Sequence, residues 1–84
     1  MEADKAFGIV LRQLRKERGL SQERLAFEAD LNRQFVSLLE LGERSPSLVS
    51  IYKLGSGLGL SGSELLQRLE LHLRAAHKKH RRQI

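Results

Sequence analysis

Residues 57–62 read Gly57-Leu58-Gly59-Leu60-Ser61-Gly62, and two folds compete for them. The spacing is G-x-G-x-x-G, which in a strand–turn–helix unit cradles a dinucleotide pyrophosphate and would make the chain α/β. The same glycines can instead stop one helix and open the next, which would make it all-α. The residues upstream decide between these. Leu48, Ile51, Leu54 and Leu58 recur at helical spacing behind Ser47, a natural N-cap, so a helix and not a strand precedes Gly57. Downstream, Ser61 and Glu64 form an S-x-x-E capping box in front of Leu65, Leu66, Leu69 and Leu73. Gly59 therefore serves as a helix stop and Gly62 falls in the first turn of the next helix. Gly55 and Gly57, each costing about 1 kcal/mol relative to Ala inside a helix, predict that the helix before them frays toward its end.

Working toward the N-terminus, Phe7, Leu11 and Leu14 space an amphipathic helix over Asp4–Arg18, stopped by Gly19. Ser21 caps a short helix through Ala29 that buries Leu25, Ala26 and Ala29. Asn32 caps another through Leu41, with Val36 and Leu39 inward and Gly42 at its end. No stretch alternates β-branched or aromatic residues, so the fold class is all-α, five short helices without a sheet.

The 84 residues suffice for one domain, with about 60–65% of the unfolded surface buried. Its expected extent is residues 1–74, followed by a basic tail over 75–84. The net charge is +5, divided as +1 over residues 1–60 and +4 over residues 61–84, which points to an anionic partner. The chain has no cysteine, excluding disulfides, thiolate nucleophiles and cysteine-ligated zinc. No apolar run approaches the roughly 18 residues of a membrane span, and no leader pattern opens the chain, so the expected setting is the cytoplasm without membrane contact.

Asp30-Leu31-Asn32 is too short a connection for the flanking helices to lie parallel, and such a pair suits a helix-turn-helix. In that motif the N-terminal end of the second helix enters the DNA major groove. Here that end carries Asn32, Arg33, Gln34 and Ser37. Arg grips guanine O6/N7 through two bonds, Gln does the same for adenine N6/N7, and Ser donates or accepts. Gln22, opening the preceding helix, reaches either a phosphate or a base edge.

The runs Gly19-Leu20-Ser21-Gln22-Glu23-Arg24-Leu25-Ala26 and Val36-Ser37-Leu38-Leu39-Glu40-Leu41-Gly42, with Ser45-Pro46-Ser47 after them, resemble the lambda repressor/Cro-like (XRE-type) helix-turn-helix family over residues 7 to about 66. The resemblance implies a five-helix domain that binds operator DNA as a dimer. It assigns Gln22, Arg33, Gln34 and Ser37 to base or groove contact, and Ser21, Asn32 and Arg44 to phosphate. It also pairs Arg15 with Glu40 as an internal brace between the first and third helices. Leu38 and Leu41 depart from the pattern, standing where relatives often place polar or basic DNA contacts. Leu38 either touches a thymine methyl or packs, so the operator sequence does not follow from relatives.

Leu65, Leu66, Leu69 and Leu73 offer more apolar surface than a core of this size covers, and the expectation is an isologous homodimer contact through them. That would set two recognition helices about 34 Å apart on a two-fold symmetric operator. The resulting function is a sequence-specific transcriptional regulator acting on double-stranded DNA, with repression or activation left open. Activation would require a contact with RNA polymerase. The competing class is a protein-interaction module that keeps the fold but uses the fifth helix and the tail. No Ser/His/Asp set presents itself, so no enzyme is expected. No cofactor or metal is expected either, since His77 and His80 are spaced for one ion but sit in a Lys/Arg-rich run without a third ligand. That run adds phosphate contacts or serves as solubilising charge. Phe35 fits the core, the DNA backbone or a partly exposed site, and Tyr52 has no assigned place.

Overall fold

The computed structural model describes residues 2–82, with side chains described to residue 76. Five helices follow in order: α1 (Glu2–Glu17), α2 (Gln22–Ala29), α3 (Arg33–Glu40), α4 (Leu48–Leu58) and α5 (Gly62–Arg82). There is no strand among the described residues. The residues upstream of Gly57 are helical, so the all-α reading of the Gly57–Gly62 stretch holds.

Each helix start expected from a polar cap is built that way. The side-chain oxygens of Ser21, Asn32, Ser47 and Ser61 accept from the backbone N–H groups of Arg24, Phe35, Ser50 and Glu64 at 2.8–3.1 Å. Glu64 completes the box by accepting from the Ser61 N–H at 2.9 Å, and those bonds hold its carboxyl below the usual carboxylate range. α1 starts two residues earlier than its apolar spacing predicts, because Glu2 and Asp4 put negative charge at the positive end of the helix dipole.

The helix ends share one device. After α1, α3 and α4 a glycine turns left-handed, at Gly19, Gly42 and Gly59 with φ of 68–74°. In each case the next amide reaches back five residues, as Leu20 N–H does to the Arg15 carbonyl and Leu60 N–H to that of Gly55. After α2 the same turn is made by Asp30, at φ 55°, with Leu31 N–H donating to the Ala26 carbonyl. A short polar side chain tolerates this conformation better than a branched one. Lys53 holds the turn from α4, its Nζ 3.3 Å from the Asp30 carbonyl and 3.5 Å from its carboxylate.

The core is built around Phe7, Leu11, Leu14, Leu25, Val36, Leu39, Leu54 and Leu65, all fully buried. α1 packs on α3 and α5, and α4 lies across α2 and against α5. Two contacts need glycine. A Cβ on Gly8 would stand 2.5 Å from the Leu39 carbonyl oxygen and 2.6 Å from that of Glu40, so α1 and α3 meet at backbone distance. A Cβ on Gly57 would meet Ala29 at 3.1 Å. This corrects the expected fraying of α4: the helix continues to Leu58, and its glycines are positions where neighbouring backbone or small side chains come close. Arg18 closes that end, its Nε donating to the Leu58 carbonyl at 2.6 Å.

Two expectations about the C-terminal part change. Leu65 has no exposed surface and belongs to the core, so it is withdrawn from the dimer-contact set. Leu69 also packs on the core, while Leu66 and Leu71 are exposed. The expected boundary at residue 74 falls inside α5, whose backbone stays helical to Arg82. The side chains of His77 and His80 lie outside the described residues. Tyr52, unplaced from sequence, is largely exposed, and its ring lies where a Cβ on Gly62 would fall.

Candidate nucleic-acid interface

The sequence of α3 separates into two faces because Val36 and Leu39 share one side of the helix while Arg33, Gln34 and Ser37 fall away from it. Val36 and Leu39, three apart, are fully buried and anchor the helix. Arg33 and Gln34 are exposed, Ser37 and Leu38 are half-buried, and Asn32 sits exposed at the cap. The leading end of the helix therefore stands outside the core with Arg, Gln and Ser on it. Leu41, at the C-cap, is 62% exposed.

A brace fixes this helix from behind. Arg15 donates from Nε to Glu40 Oε2 at 2.6 Å and from Nη2 to Oε1 at 3.0 Å, a two-pronged ion pair joining α1 to α3. Its third prong, Nη1, donates to the Leu20 carbonyl at 2.8 Å and ties in the α1–α2 turn. The Glu40 side chain is 4% exposed. The hydrogen bond to Glu40 raises the Arg15 pKa above its ordinary value; burial opposes it and the opposite charge adds to it. The pair joins the helices that sequence reasoning assigned to it.

Gln22 belongs to the same network, its Nε2 donating to Glu40 Oε1 at 3.0 Å. It separates two clefts. One, of about 450 Å3, is lined by Arg15, Ser21, Gln22, Glu23 and Arg33 at the start of α2. The other, of about 230 Å3, runs between α1 and α3 past Arg12, Gln22, Ser37 and Leu41. Gln22, Arg33 and Ser37 are thus brought together along one surface. Ser21 is committed to capping α2, as Asn32 is to capping α3, so each has its side-chain oxygen engaged while remaining exposed. Arg44 lies apart from the clefts, its guanidinium 5.6 Å from the centre of the half-buried Phe35 ring.

Residues 11–65 match the family model described as helix-turn-helix. The chain belongs to the XRE-type helix-turn-helix family. Curated relatives of this helix-turn-helix chain include the control protein C.MunI of a Mycoplasma species, 46% identical over 65 residues, 76% of this chain and 88% of that one. Control protein C.BamHI of Bacillus amyloliquefaciens is 44% identical over 61 residues, covering 71% and 75%. Among solved structures, the restriction-modification controller protein C.AhdI from Aeromonas hydrophila superposes with a TM-score of 0.74 at 45% identity, over 77% of this chain and 98% of that one. Like the other members of this helix-turn-helix family, the chain is a sequence-specific DNA-binding transcriptional regulator.

Sequence reasoning missed two features of the helix-turn-helix surface. Arg12 lines the second cleft beside Ser37; its signal was its position one turn before Arg15 on the same helix. The bond between Gln22 and Glu40 had no signal, since it joins residues 18 apart whose meeting depends on the angle between α2 and α3. Among the described residues no group of three His, Cys, Asp or Glu is placed to hold a metal ion, and no helix is long and apolar enough to cross a membrane.

Proposed function

We propose that this regulator acts in the cytoplasm as a homodimer that controls a restriction–modification operon by reading a two-fold symmetric operator with α3 in the major groove. The observation that carries the reading is the exposed leading end of α3, with the helix anchored through Val36 and Leu39 and braced by Arg15–Glu40. In this arrangement Arg33, Gln34 and Ser37 read base edges, and Leu38 lies against a thymine methyl. Ser21, Asn32 and Arg44 face phosphates, with the caps also presenting helix N-termini to the anion. Controller proteins among its relatives, similar along most of their length, support the operon assignment. The dimer forms through the outer face of α5, with Leu66, Leu69 and Leu73 and without Leu65. A regulator of this design activates where its bound face also meets RNA polymerase, and represses where the operator overlaps the promoter.

In vitro selection from random duplexes tests the reading. The expected product is an inverted repeat with half-sites about 34 Å apart, and Arg33→Ala with Gln34→Ala should relax base preference by about 1–3 kcal/mol per lost contact without unfolding. Enrichment of no duplex over the starting pool would overturn it, and would favour the interaction-module alternative.

A further inference from the structure

Glu40 does more than brace α3. Both of its carboxylate oxygens accept from the Arg15 guanidinium, and oxygens so engaged meet a further polar neighbour as acceptors. Gln22 can therefore meet Glu40 Oε1 only through its amide nitrogen. That settles which way round the amide lies, since the opposite arrangement would set Gln22 Oε1 against a carboxylate oxygen. The Gln22 carbonyl must then turn away from Glu40, leaving outward one acceptor and the second N–H of the same nitrogen.

This orientation matters because of what Gln22 can recognise. A phosphate offers only acceptors, so it can take the free N–H of Gln22 but leaves Oε1 unused. The exocyclic amino group of adenine does donate in the major groove, and adenine N7 beside it accepts the remaining N–H. Gln22 also stands between the two clefts, walled by Arg33 on one side and by Ser37 on the other. These are residues proposed to reach base edges. We infer that Gln22 reads an adenine of the operator, and that Glu40 is the positioning residue that sets the polarity of that contact without touching DNA. The inference rests on the proposed placement of α3 in the groove.

Binding of the folded full-length chain to its selected operator, and to every single base-pair variant of one half-site, tests it. Gln22→Ala should lose about 5- to 150-fold of preference for adenine at one position and leave the other positions unchanged. An equal loss across all variants is what a phosphate contact gives, and overturns the proposal. Glu40→Gln supplies an amide N–H to Gln22, which lets the Gln22 side chain turn over and present its nitrogen outward. Preference at that same position should then move from adenine toward a base that accepts, guanine or thymine. A Glu40→Gln protein that folds by circular dichroism and keeps the adenine preference overturns the positioning role. If that variant does not fold, the NMR signals of the Gln22 side-chain amide in the parent take its place. One proton slowed in exchange by the carboxylate supports the role, and two solvent-like protons overturn it. A parent that selects no duplex defeats the groove reading itself, whereas a parent with a defined operator and an indifferent Gln22→Ala variant defeats this inference alone.

Discussion

The Glu40 side chain is only 4% exposed, and Arg15 is its ion-pair partner there, with Gln22 adding one hydrogen bond. Arg15→Ala should cost about 3–5 kcal/mol, because it strands that carboxylate in a site water barely enters. Urea denaturation would show the loss as a lower midpoint, and a change under 1 kcal/mol would mean that the pair adds little. The raised pKa of Arg15 keeps the guanidinium charged well beyond neutrality, so this cost should not vary across neutral pH. Gly8 poses a steric question of the same scale. Gly8→Ala should destabilise by about 1–3 kcal/mol, toward the upper end because the facing atoms are backbone carbonyls at 2.5 and 2.6 Å. A thermal midpoint equal to the parent's would show that α1 and α3 can move apart freely. Arg15 and Glu40 were legible as a pair through the family pattern. Gly8 was not, since a glycine on the polar-apolar edge of a helix gives no hint of how near a neighbour will cross.

The helices show the best agreement between sequence and structure, for a local reason. A cap needs only an oxygen three residues before an amide, and Ser21, Asn32, Ser47 and Ser61 each advertise that spacing. Stops at Gly19, Gly42 and Gly59 are equally local. The stop at Asp30 was hidden, because aspartate there looks like any loop residue until Lys53 is brought to it from α4. The box at α5 carries a pH dependence. Glu64 is lowered by its bonds to Ser61, so it stabilises the fold above the ordinary carboxylate range and loses that effect as pH falls through its own depressed value. Thermal midpoints of the parent and Glu64→Gln should therefore converge in acid and separate toward neutrality. Curves that stay parallel from neutral pH down through the acid range would show that the Glu64 charge contributes nothing.

For the molecule as a whole, the amphipathic stripe of α5 was legible but its division was not. Spacing identifies an apolar stripe; it does not tell which edge of a wide stripe the chain's own core will take. The core takes Leu65 entirely and part of Leu69, leaving Leu66 outward. The proposed dimer makes these leucines behave differently on substitution. Leu66→Glu with Leu73→Glu should convert a dimer to a folded monomer in sedimentation equilibrium and weaken operator binding. Leu65→Ala should instead lower folding stability by about 2–5 kcal/mol. A parent that sediments as a monomer both alone and on DNA would reject the dimer.

The division of α3 into an anchoring side and an outward end has a further consequence for how such a chain can change over generations. Val36, Leu39 and Glu40 are the residues of this helix that folding leans on most, while Arg33 and Gln34 are exposed and lie outside the core. Mutations at the outward positions are not screened by stability. New preferences can therefore arise there one codon at a time, on a scaffold that stays intact.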